Sequence, residues 1–572
     1  MLAAALALAT LVGCTGIPDD GDVRSVRAVD APEDRTELDR GPRNGPVFRR
    51  FPPPPRQASP EQVVRGFFDA HADLEPDLQV ARQYLAPGTA WDARARVTVF
   101  AGERTFSLAP VDEETQVATL VVTPTATISG AGELSVVAPR QAAQRFRLRL
   151  VDGEWRLADV PPGLLLSESG LAGAFRRIVR YFPSADRRRL VPDVVFRPRA
   201  AASAVTAAAA AVVEGPSPWL APAVRTAVPD GTSVVGAVPV IDGTATVDLS
   251  GQALTVSSDA RSALVAQIVW TLTEPGLGVS AVRLLVAGRR MVLPDGRTGQ
   301  VQSRGDWAGF NPDPGSDSAR LYFLQGGRLH SLEDGQTTVV RPEPRDLRDI
   351  AVSRSAALVA AVRRDARGGE SLLVGALSGS LPALLSGDRV LSPSWDSDGD
   401  RVWVLRVEGG RRTLVTVAAA QTASATQDVP VALPFAGGVV EAVRLSPEGA
   451  RAAVQVRRGA QRQAWVGRVE RRPEGPALTA MRPLLPTVLD VSSLVWETAT
   501  TLLVAGGTGI SRVEFDGFDR VVVPSDGLPA RRVQRVSGGP AADVVAEIDG
   551  RLWRRAAGWR AIGPGTAATY AG

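Results

Sequence analysis

The hydrophobic and polar positions of this chain change their pattern several times along its 572 residues, and each change marks a predicted segment. Residues 1–13 are small or apolar, whereas a helix needs ~20 such residues to cross a bilayer. Residues 14–58 are polar, charged and interrupted by prolines, a composition that cannot bury a core. We predict a signal peptide over 1–13 and a flexible tether over 14–58, with an end-to-end distance of about 35–40 Å.

Residues 59–165 show a helical period first and a strand period afterwards. Ser59 is a suitable N-cap, Pro60 suits the first helical position, and the apolar residues that follow fall on one broad face. A second helix is expected near 77–85. Strand-like runs then occupy 95–100, 105–108, 116–128, 144–151 and 154–159. Helices followed by a curved antiparallel sheet predict a cone-like α+β domain.

Residues 190–300 alternate between strand and helix patterns. A short strand at 194–196 precedes an alanine-rich helix at 201–213. Strands at 232–241 and 245–249 are joined by Asp242-Gly243, a strong hairpin signal. A long helix at 258–273 ends before Pro275-Gly276, and strands return at 281–286 and 290–293. This βαββαββ order predicts a two-layer α/β sandwich.

Residues 305–572 contain a repeated strand–turn–strand unit. Equivalent positions, spaced by 40–51 residues, are Phe310, Val352, Trp395, Leu445, Trp496 and Val536. A period of ~45 residues with Asp/Gly turns and Val/Leu-rich strands is typical of propeller blades with four strands each. The complete prediction is a multidomain α+β and all-β protein that ends in a β-propeller of about six blades.

Composition and charge change this picture little. The formal net charge is +4, and acidic and basic residues are interspersed, so we predict no nucleic-acid interface. Cys14 is the only cysteine, which excludes an internal disulfide. The propeller tryptophans are expected to pack inside blades, with one or two at the rim available to anchor a protein partner.

The candidate catalytic and metal-binding residues do not form a site in the sequence. His71 and His330 fall in different predicted domains, and no Gly-x-Ser-x-Gly motif occurs. Asp396, Asp398 and Asp400 superficially suggest a Ca²⁺ loop, but without a downstream bidentate Glu we favour turn chemistry. We predict no catalytic residue, no metal and no cofactor. A hydrolase with paired carboxylates stays open as an alternative, because the sequence does not show which carboxylates meet.

The one motif with specific chemistry is Leu11-Val12-Gly13-Cys14, at the end of the apolar segment. Leu11 and the small Gly13 fit recognition by a signal peptidase that cuts just before a cysteine. The thiol of Cys14 can then carry a diacylglyceryl group as a thioether, and lipid chains would hold the mature N-terminus in the membrane. We predict lipidation at Cys14.

The order of these segments resembles the LpqB family of actinobacterial lipoproteins. The run 80–87 with Trp91-Asp92 is similar to the N-terminal domain of that family. A GerMN (sporulation and germination) domain is suggested by Glu214-Gly215-Pro216-Ser217, Pro229-Asp230-Gly231-Thr232, 245–250 and 264–272. The resemblance implies an extracytoplasmic third component beside the MtrA–MtrB two-component system, which contacts the sensor kinase MtrB and tunes signalling linked to the cell envelope and division. It brings no catalytic residue.

We therefore expect a non-enzymatic lipoprotein on the outer face of the cytoplasmic membrane, anchored through diacylglyceryl-Cys14. Its expected partner is the extracytoplasmic domain of a sensor histidine kinase similar to MtrB. The alternative is a lipoprotein that binds cell-wall material or a small ligand through the propeller or the GerMN-like domain. The sequence does not identify the partner-binding surface.

Overall fold

The computed structural model describes residues 52–71, 78–293, 301–313, 319–341, 343–420, 426–488, 490–539 and 543–572. The predicted signal peptide, most of the predicted tether, and the residues Leu11, Gly13 and Cys14 lie outside the described residues. In the part of the chain that is described, no helix is both long enough and apolar enough to cross a membrane.

The first helix, Pro60–His71, begins with a reciprocal cap. The Gln62 backbone N–H donates to Ser59 Oγ (3.2 Å), and Gln62 Oε1 accepts from the Ser59 backbone N–H (2.8 Å). The apolar face of this helix is buried against the sheet that follows, where Phe68 packs edge-on against Phe146, with ring centroids 5.2 Å apart. The buried residues of this helix are Val63, Val64, Phe67, Phe68 and Ala70.

The N-terminal sheet confirms the α+β prediction. Its strands, in spatial order, are Glu154–Asp159, Ala142–Val151, Thr115–Ser129, Arg96–Pro110 and Leu164–Ser167, with Leu134–Val136 paired to Thr115–Ser129. The last strand runs parallel to its neighbour and the others are antiparallel. The runs predicted at 95–100 and 105–108 form one bulged strand, Arg96–Pro110. The short helices Gln79–Gln83 and Glu168–Ala174 complete this domain.

The second domain begins with a hairpin, Phe175–Pro183 paired with Leu190–Pro198. Its helices are Ala204–Val213 and Ser258–Leu272, capped by the side chains of Ser203 and Ser257. The second sheet has the order Arg289–Arg290, Ala281–Val286, Thr244–Leu249 and Val240–Ile241. Its two central strands are parallel, because the chain crosses over through the long helix between them. Short 3₁₀ turns occupy Arg199–Ala201, Ala221–Ala223 and Gly251–Thr255.

Several secondary-structure predictions for this domain change in detail. The strand at 175–183 was not predicted, and the strand at 194–196 extends over Leu190–Pro198. Of the strand predicted at 232–241 only Val240–Ile241 is regular, since the preceding residues meet the sheet through isolated contacts such as the Val235 N–H donating to the Asp248 carbonyl (2.8 Å). The predicted hairpin turn is confirmed: Asp242 and Gly243 both have positive φ, 49° and 71°.

Within the described residues, the C-terminal region forms six four-stranded antiparallel sheets, which confirms the propeller and its blade number. Blades 1 to 3 consist of Thr566–Thr569, Leu321–Gln325, Arg328–Glu333 and Gln336–Arg341; Leu347–Val352, Leu358–Arg364, Glu370–Ala376 and Ala383–Gly387; and Arg389–Trp395, Arg401–Glu408, Arg411–Ala418 and Thr426–Asp428. Blades 4 to 6 consist of Val439–Leu445, Arg451–Arg458, Gln461–Arg472 and Gly475–Pro483; Val491–Trp496, Thr501–Gly506, Gly509–Glu514 and Arg520–Val522; and Arg535–Gly539, Asp543–Ile548, Arg551–Arg555 and Trp559–Pro564. Each blade is given from its inner to its outer strand.

The inner strands of the six blades contact one another in a closed ring around the propeller axis. Tryptophan side chains form hydrogen bonds between neighbouring inner strands. Trp395 Nε1 donates to the Ala351 carbonyl (3.0 Å), and Trp496 Nε1 donates to the Arg444 carbonyl (3.0 Å). Blade 1 takes its inner strand, Thr566–Thr569, from the C-terminal part of the chain, so the two ends of the propeller sequence close the ring.

This closure corrects two positions of the predicted repeat. Val352, Trp395, Leu445 and Trp496 each end an inner strand, as equivalent positions should. Phe310 instead lies in the 3₁₀ helix Gly305–Phe310, before the first blade, and Val536 is the second residue of its strand. The repeat predicted that the inner strand of blade 1 lies at the start of the propeller sequence. The inner strand of blade 1 is instead Thr566–Thr569, near the end of the propeller sequence.

Candidate functional site

The hairpin of the second domain is held against blade 5 by one half-buried arginine. Arg177 Nε lies 2.8 Å from Asp516 Oδ2, and Arg177 Nη2 lies 3.0 Å from Glu514 Oε2. Burial acts to lower the pKa of Arg177, but the two carboxylates outweigh it and the pKa is raised. Burial raises the pKa of Glu514 even beside this guanidinium. We call Arg177, Glu514 and Asp516 the hairpin clamp.

A second contact joins all three domains around Trp219, which lies after the first helix of the second domain. Its backbone N–H donates to Glu133 Oε1 of the N-terminal domain (2.9 Å), and its Nε1 donates to the Ala480 carbonyl of blade 4 (2.7 Å). The guanidinium of Arg482 stacks over the indole at 4.7 Å and reaches Glu133 at 3.3 Å. Arg468 donates to the Trp219 carbonyl. We call this cluster the three-domain junction.

A third contact places the hairpin loop on the turn that follows the inner strand of blade 3. Arg189 Nη1 donates to the Ser397 carbonyl (2.7 Å) and lies 3.4 Å from Asp398 Oδ1. Arg188 approaches the same carboxylate at 3.7 Å. Together with the hairpin clamp and the three-domain junction, this contact fixes the first two domains on the propeller.

The inner strands surround an axial cavity of about 410 Å³, which we call the channel. Its lining includes the charged residues Asp313, Arg354, Asp396, Arg444, Glu497 and Arg535, and the serines Ser394, Ser493 and Ser537. The channel therefore has a wall of mixed polar and apolar side chains, whereas each blade is apolar in its interior.

Most carboxylates near the channel are already engaged. Arg535 Nη1 lies 2.7 Å from Asp349 Oδ1, an ion pair between blades 6 and 2. Glu497 accepts three hydrogen bonds from the Arg512 guanidinium, the shortest of them 2.7 Å. Asp313 and Asp396 also line the channel, and burial raises the pKa of both carboxyl groups.

Arg444 differs from the other channel arginines. Its Nη1 donates to the Val443 carbonyl (3.1 Å), the Pro393 carbonyl (3.4 Å) and Ser392 Oγ, all of which are neutral. No carboxylate of the described residues lies within ion-pair distance of it. Burial lowers the pKa of Arg444 to about 10, and the nearby charge of Arg535 acts in the same direction.

The residues that the sequence offered as candidates for catalysis or metal binding take part in turns and side-chain packing. Asp396 Oδ1 accepts the backbone N–H groups of Asp400 (3.0 Å) and Arg401 (3.2 Å), as the turn hypothesis predicts, and Asp398 faces the hairpin loop. His330 stacks on Phe323, and burial lowers its pKa. In the described residues no group of three or more His, Cys, Asp or Glu could hold a metal ion. The side chain of His71 lies outside the described residues.

Sequence reasoning missed the residues that position the domains. The propeller tryptophans are buried or half-buried in blades, and the tryptophan that joins domains is Trp219 of the second domain. Arg177 and Arg444 were not singled out either. An arginine in a strand-like run, such as Arg177 in 175–183, is the sequence signal that comes closest to revealing the clamp.

A groove of about 810 Å³ lies between the N-terminal domain and the hairpin. Its apolar lining residues are Leu78, Val97, Ile128, Leu164, Phe175 and Phe196, and its charged lining residues are Arg82, Asp92, Arg94, Arg96 and Arg197. Arg197 is paired with Glu214, so three further arginines against one aspartate make the rim of this groove basic. Phe196 also packs against Phe518 of blade 5, with ring centroids 5.0 Å apart.

Three family models match the chain in the order of these domains. The model of the LpqB lipoprotein N-terminal domain matches residues 53–172, the sporulation and spore germination model matches 179–292, and the LpqB lipoprotein beta-propeller model matches 327–570. The first and third models, both named for LpqB, match separate stretches at the two ends of the described chain. Both of these models are named for a lipoprotein, and the third describes its propeller domain.

Curated relatives match over nearly the whole chain. A lipoprotein LpqB of Thermobifida fusca is 29% identical, over 88% of this chain and 90% of the relative. A lipoprotein LpqB of Streptomyces coelicolor is 28% identical, over 98% and 96%. Among solved structures, TolB from Acinetobacter baumannii covers 51% of this chain and 83% of its own, with 14% identity and a TM-score of 0.37.

The relatives are named lipoproteins, which supports a lipid anchor in the membrane, while lipidation at Cys14 itself stays a prediction. The matched domains appear in the order that the structure shows, from the N-terminal α+β domain to the propeller. The chain is thus similar to lipoproteins LpqB over nearly its whole length, and it matches models named for the N-terminal and propeller domains of LpqB.

Proposed function

We propose that this protein is a non-enzymatic recognition lipoprotein. In this proposal diacylglyceryl-Cys14 anchors it to the outer face of the cytoplasmic membrane, and it binds the extracytoplasmic domain of a sensor histidine kinase similar to MtrB. Binding would modulate two-component signalling linked to the cell envelope and division. The observation that supports this most is the fixed arrangement of the three domains, held by the hairpin clamp and the three-domain junction.

A fixed arrangement suits recognition, because a surface built from two domains keeps its shape only when the domains do not move apart. Binding to such a preformed surface avoids the entropy cost of ordering it. The anchor adds to this: a protein held at the same membrane as its partner meets it at a raised effective concentration, so a modest direct affinity suffices.

The groove is the surface that we propose for the kinase. It combines an apolar floor with a basic rim, the combination that buried anchors and steering charges require in a protein interface. It also lies on the domain that follows the predicted tether, where Tyr84 Oη donates to the Pro52 carbonyl (3.0 Å). The proposed partner surface is therefore acidic at its edge and apolar at its centre.

Membrane crosslinking tests this proposal. A photo-crosslinking residue replaces exposed Arg96 at the groove in the lipidated full chain, and another replaces exposed Arg560 on the outer strand of blade 6 as a matched control. We expect a kinase adduct from position 96 and none from position 560. Equal adducts from both positions would contradict the groove, and no kinase adduct from either would contradict the partner.

The anchor is tested separately. Cys14→Ser should release the protein from membranes into the soluble fraction, since the thioether cannot form, while Thr15→Ser keeps the thiol and serves as the control. Membrane retention of the Cys14→Ser protein would contradict lipidation at this residue.

A further inference from the structure

The channel wall carries hydrogen-bond donors that the protein itself does not satisfy. Along an inner strand, side chains alternate between the channel and the space between blades. Arg444, Ser493 and Ser537 line the channel, and their neighbours Leu445, Leu494 and Val536, which pack between blades, also reach its wall. The wall therefore sets a few polar side chains among apolar ones.

Two serines of this wall, Ser394 and Ser493, accept hydrogen bonds within the protein. Ser394 Oγ accepts the Leu445 backbone N–H of the next blade (3.1 Å), and Ser493 Oγ accepts the Val536 backbone N–H (3.2 Å). Neither hydroxyl proton has an acceptor among the described residues. Because a serine hydroxyl both donates and accepts, each of these serines keeps one donor for a ligand.

Arg444 carries a positive charge that has no direct ion-pair partner among the described residues. Its hydrogen-bond partners are carbonyls and a hydroxyl, and the nearby Asp349 is paired with Arg535. A pKa of about 10 keeps the guanidinium charged at neutral pH. A half-buried charge without a counter-ion is costly, and a bound anion would remove that cost.

We propose that the channel binds a small anionic group, a carboxylate or a phosphate, with Arg444 as its charge partner and the channel serines as hydrogen-bond donors. A volume of about 410 Å³ is within the range of small-molecule sites, which favours a compact ligand over a folded partner. Trp395 and Trp496 line the same cavity, so their fluorescence reports on its contents. This site is independent of kinase binding at the groove.

The experiment titrates the full chain, in detergent, with two probes by calorimetry and by tryptophan fluorescence. Inorganic phosphate represents the phosphate source, and N-acetyl-alanyl-alanine represents a peptide carboxylate. We expect at least one probe to bind and to raise the thermal unfolding midpoint as its concentration increases. The probe that binds more tightly identifies the source.

Arg444→Gln should weaken that binding at least about tenfold, because it removes a charge-assisted hydrogen bond. Its unfolding midpoint without probe should be no lower than that of the wild type, since the variant loses an uncompensated charge and no ion pair, and Arg444→Lys should bind at an intermediate level. Arg560→Gln makes the same charge change on the outside of blade 6 and should bind like the wild type. Absence of binding by both probes, or equal affinity in the wild type and Arg444→Gln, would overturn the site.

Discussion

The hairpin clamp gives the sharpest test of how the domains are held together. Arg177→Met removes the guanidinium and keeps an unbranched side chain of similar length. It leaves Asp516, whose side chain is 8% exposed, and Glu514, at 26%, without a counter-ion. Two adjacent carboxylates in a partly dry site repel each other, and neither can recover its full hydration.

The expected cost is about 3 kcal/mol, the lower end of what removing one partner of a buried ion pair costs, because Glu514 keeps some contact with water. In a unit the size of the propeller, about 2 °C of melting temperature corresponds to 1 kcal/mol, so we expect a loss of about 6 °C. Arg345→Met removes an exposed pair with Glu343, whose side chains are 61% and 65% exposed, and should cost less than about 1 kcal/mol.

The cost should also depend on pH in a defined direction. Burial already raises the pKa of Glu514 above 4.5, and Arg177 acts against this rise. Without Arg177 the pKa rises further, so the folded variant binds a proton more tightly than the unfolded chain does. Protonation then favours folding below pH 4.5, and this stability is lost as pH increases through the raised pKa. The deficit of Arg177→Met should therefore grow from pH 4.5 to pH 8.

Thermal and urea unfolding of the full-length variants at several pH values measure this deficit, and limited proteolysis between the hairpin and the propeller shows whether the domains separate. The triple variant Arg177→Met, Glu514→Gln, Asp516→Asn should recover most of the stability, because no charge is left buried. If Arg177→Met unfolds like Arg345→Met, or if its deficit does not change with pH, the clamp does not hold the domains as we argue.

Three further changes test other parts of the structure. Trp219→Phe should loosen the three-domain junction by about 1–2 kcal/mol, through loss of the hydrogen bond to Ala480, and proteolysis should detect it. Arg451→Met leaves the fully buried Glu448 unpaired and should lower the propeller melting temperature by more than Arg345→Met does. Thr479, Arg468 and Arg472 hold the pKa of Glu470 at about 2, so Glu470→Gln should lose stability relative to the wild type above pH 4.5, and this loss should fade as pH falls towards 2, as acid titration of unfolding will show.

The fold could be predicted where the pattern is local. Strand alternation, Asp-Gly turns and the repeat of about 45 residues were sufficient for the propeller and its blade number. The hairpin strand Phe175–Pro183 was missed, because its three arginines interrupt the apolar run. Arg180 is nevertheless buried there, paired with Asp193 of the partner strand at 3.0 Å. A charged residue in that strand is buried because it has an ion-pair partner. A hydrophobicity pattern does not show the partner, so it predicts that the same residue is exposed.

The domain contacts could not be predicted, because their partners lie far apart in sequence. Arg177 and Asp516 are 339 positions apart, and Trp219 and Ala480 are 261 apart. Periodicity determines which face of a strand is apolar, but it does not determine which domain covers that face. The residues next to Arg177 and Trp219 in the sequence also form no motif that would mark either side chain as a domain contact.

Arg444 shows the same limit at the site itself. Its neighbours Val443 and Leu445 are apolar, so the strand pattern already places Arg444 on the opposite face from Leu445. Whether that face is solvent or an enclosed channel depends on the closed ring of six inner strands. Whether the guanidinium of Arg444 has an ion-pair partner depends on Asp349 of blade 2. That carboxylate is paired with Arg535 of blade 6. An unbalanced charge is therefore a property of the assembled ring, and only a ligand that enters the channel can reveal what it is for.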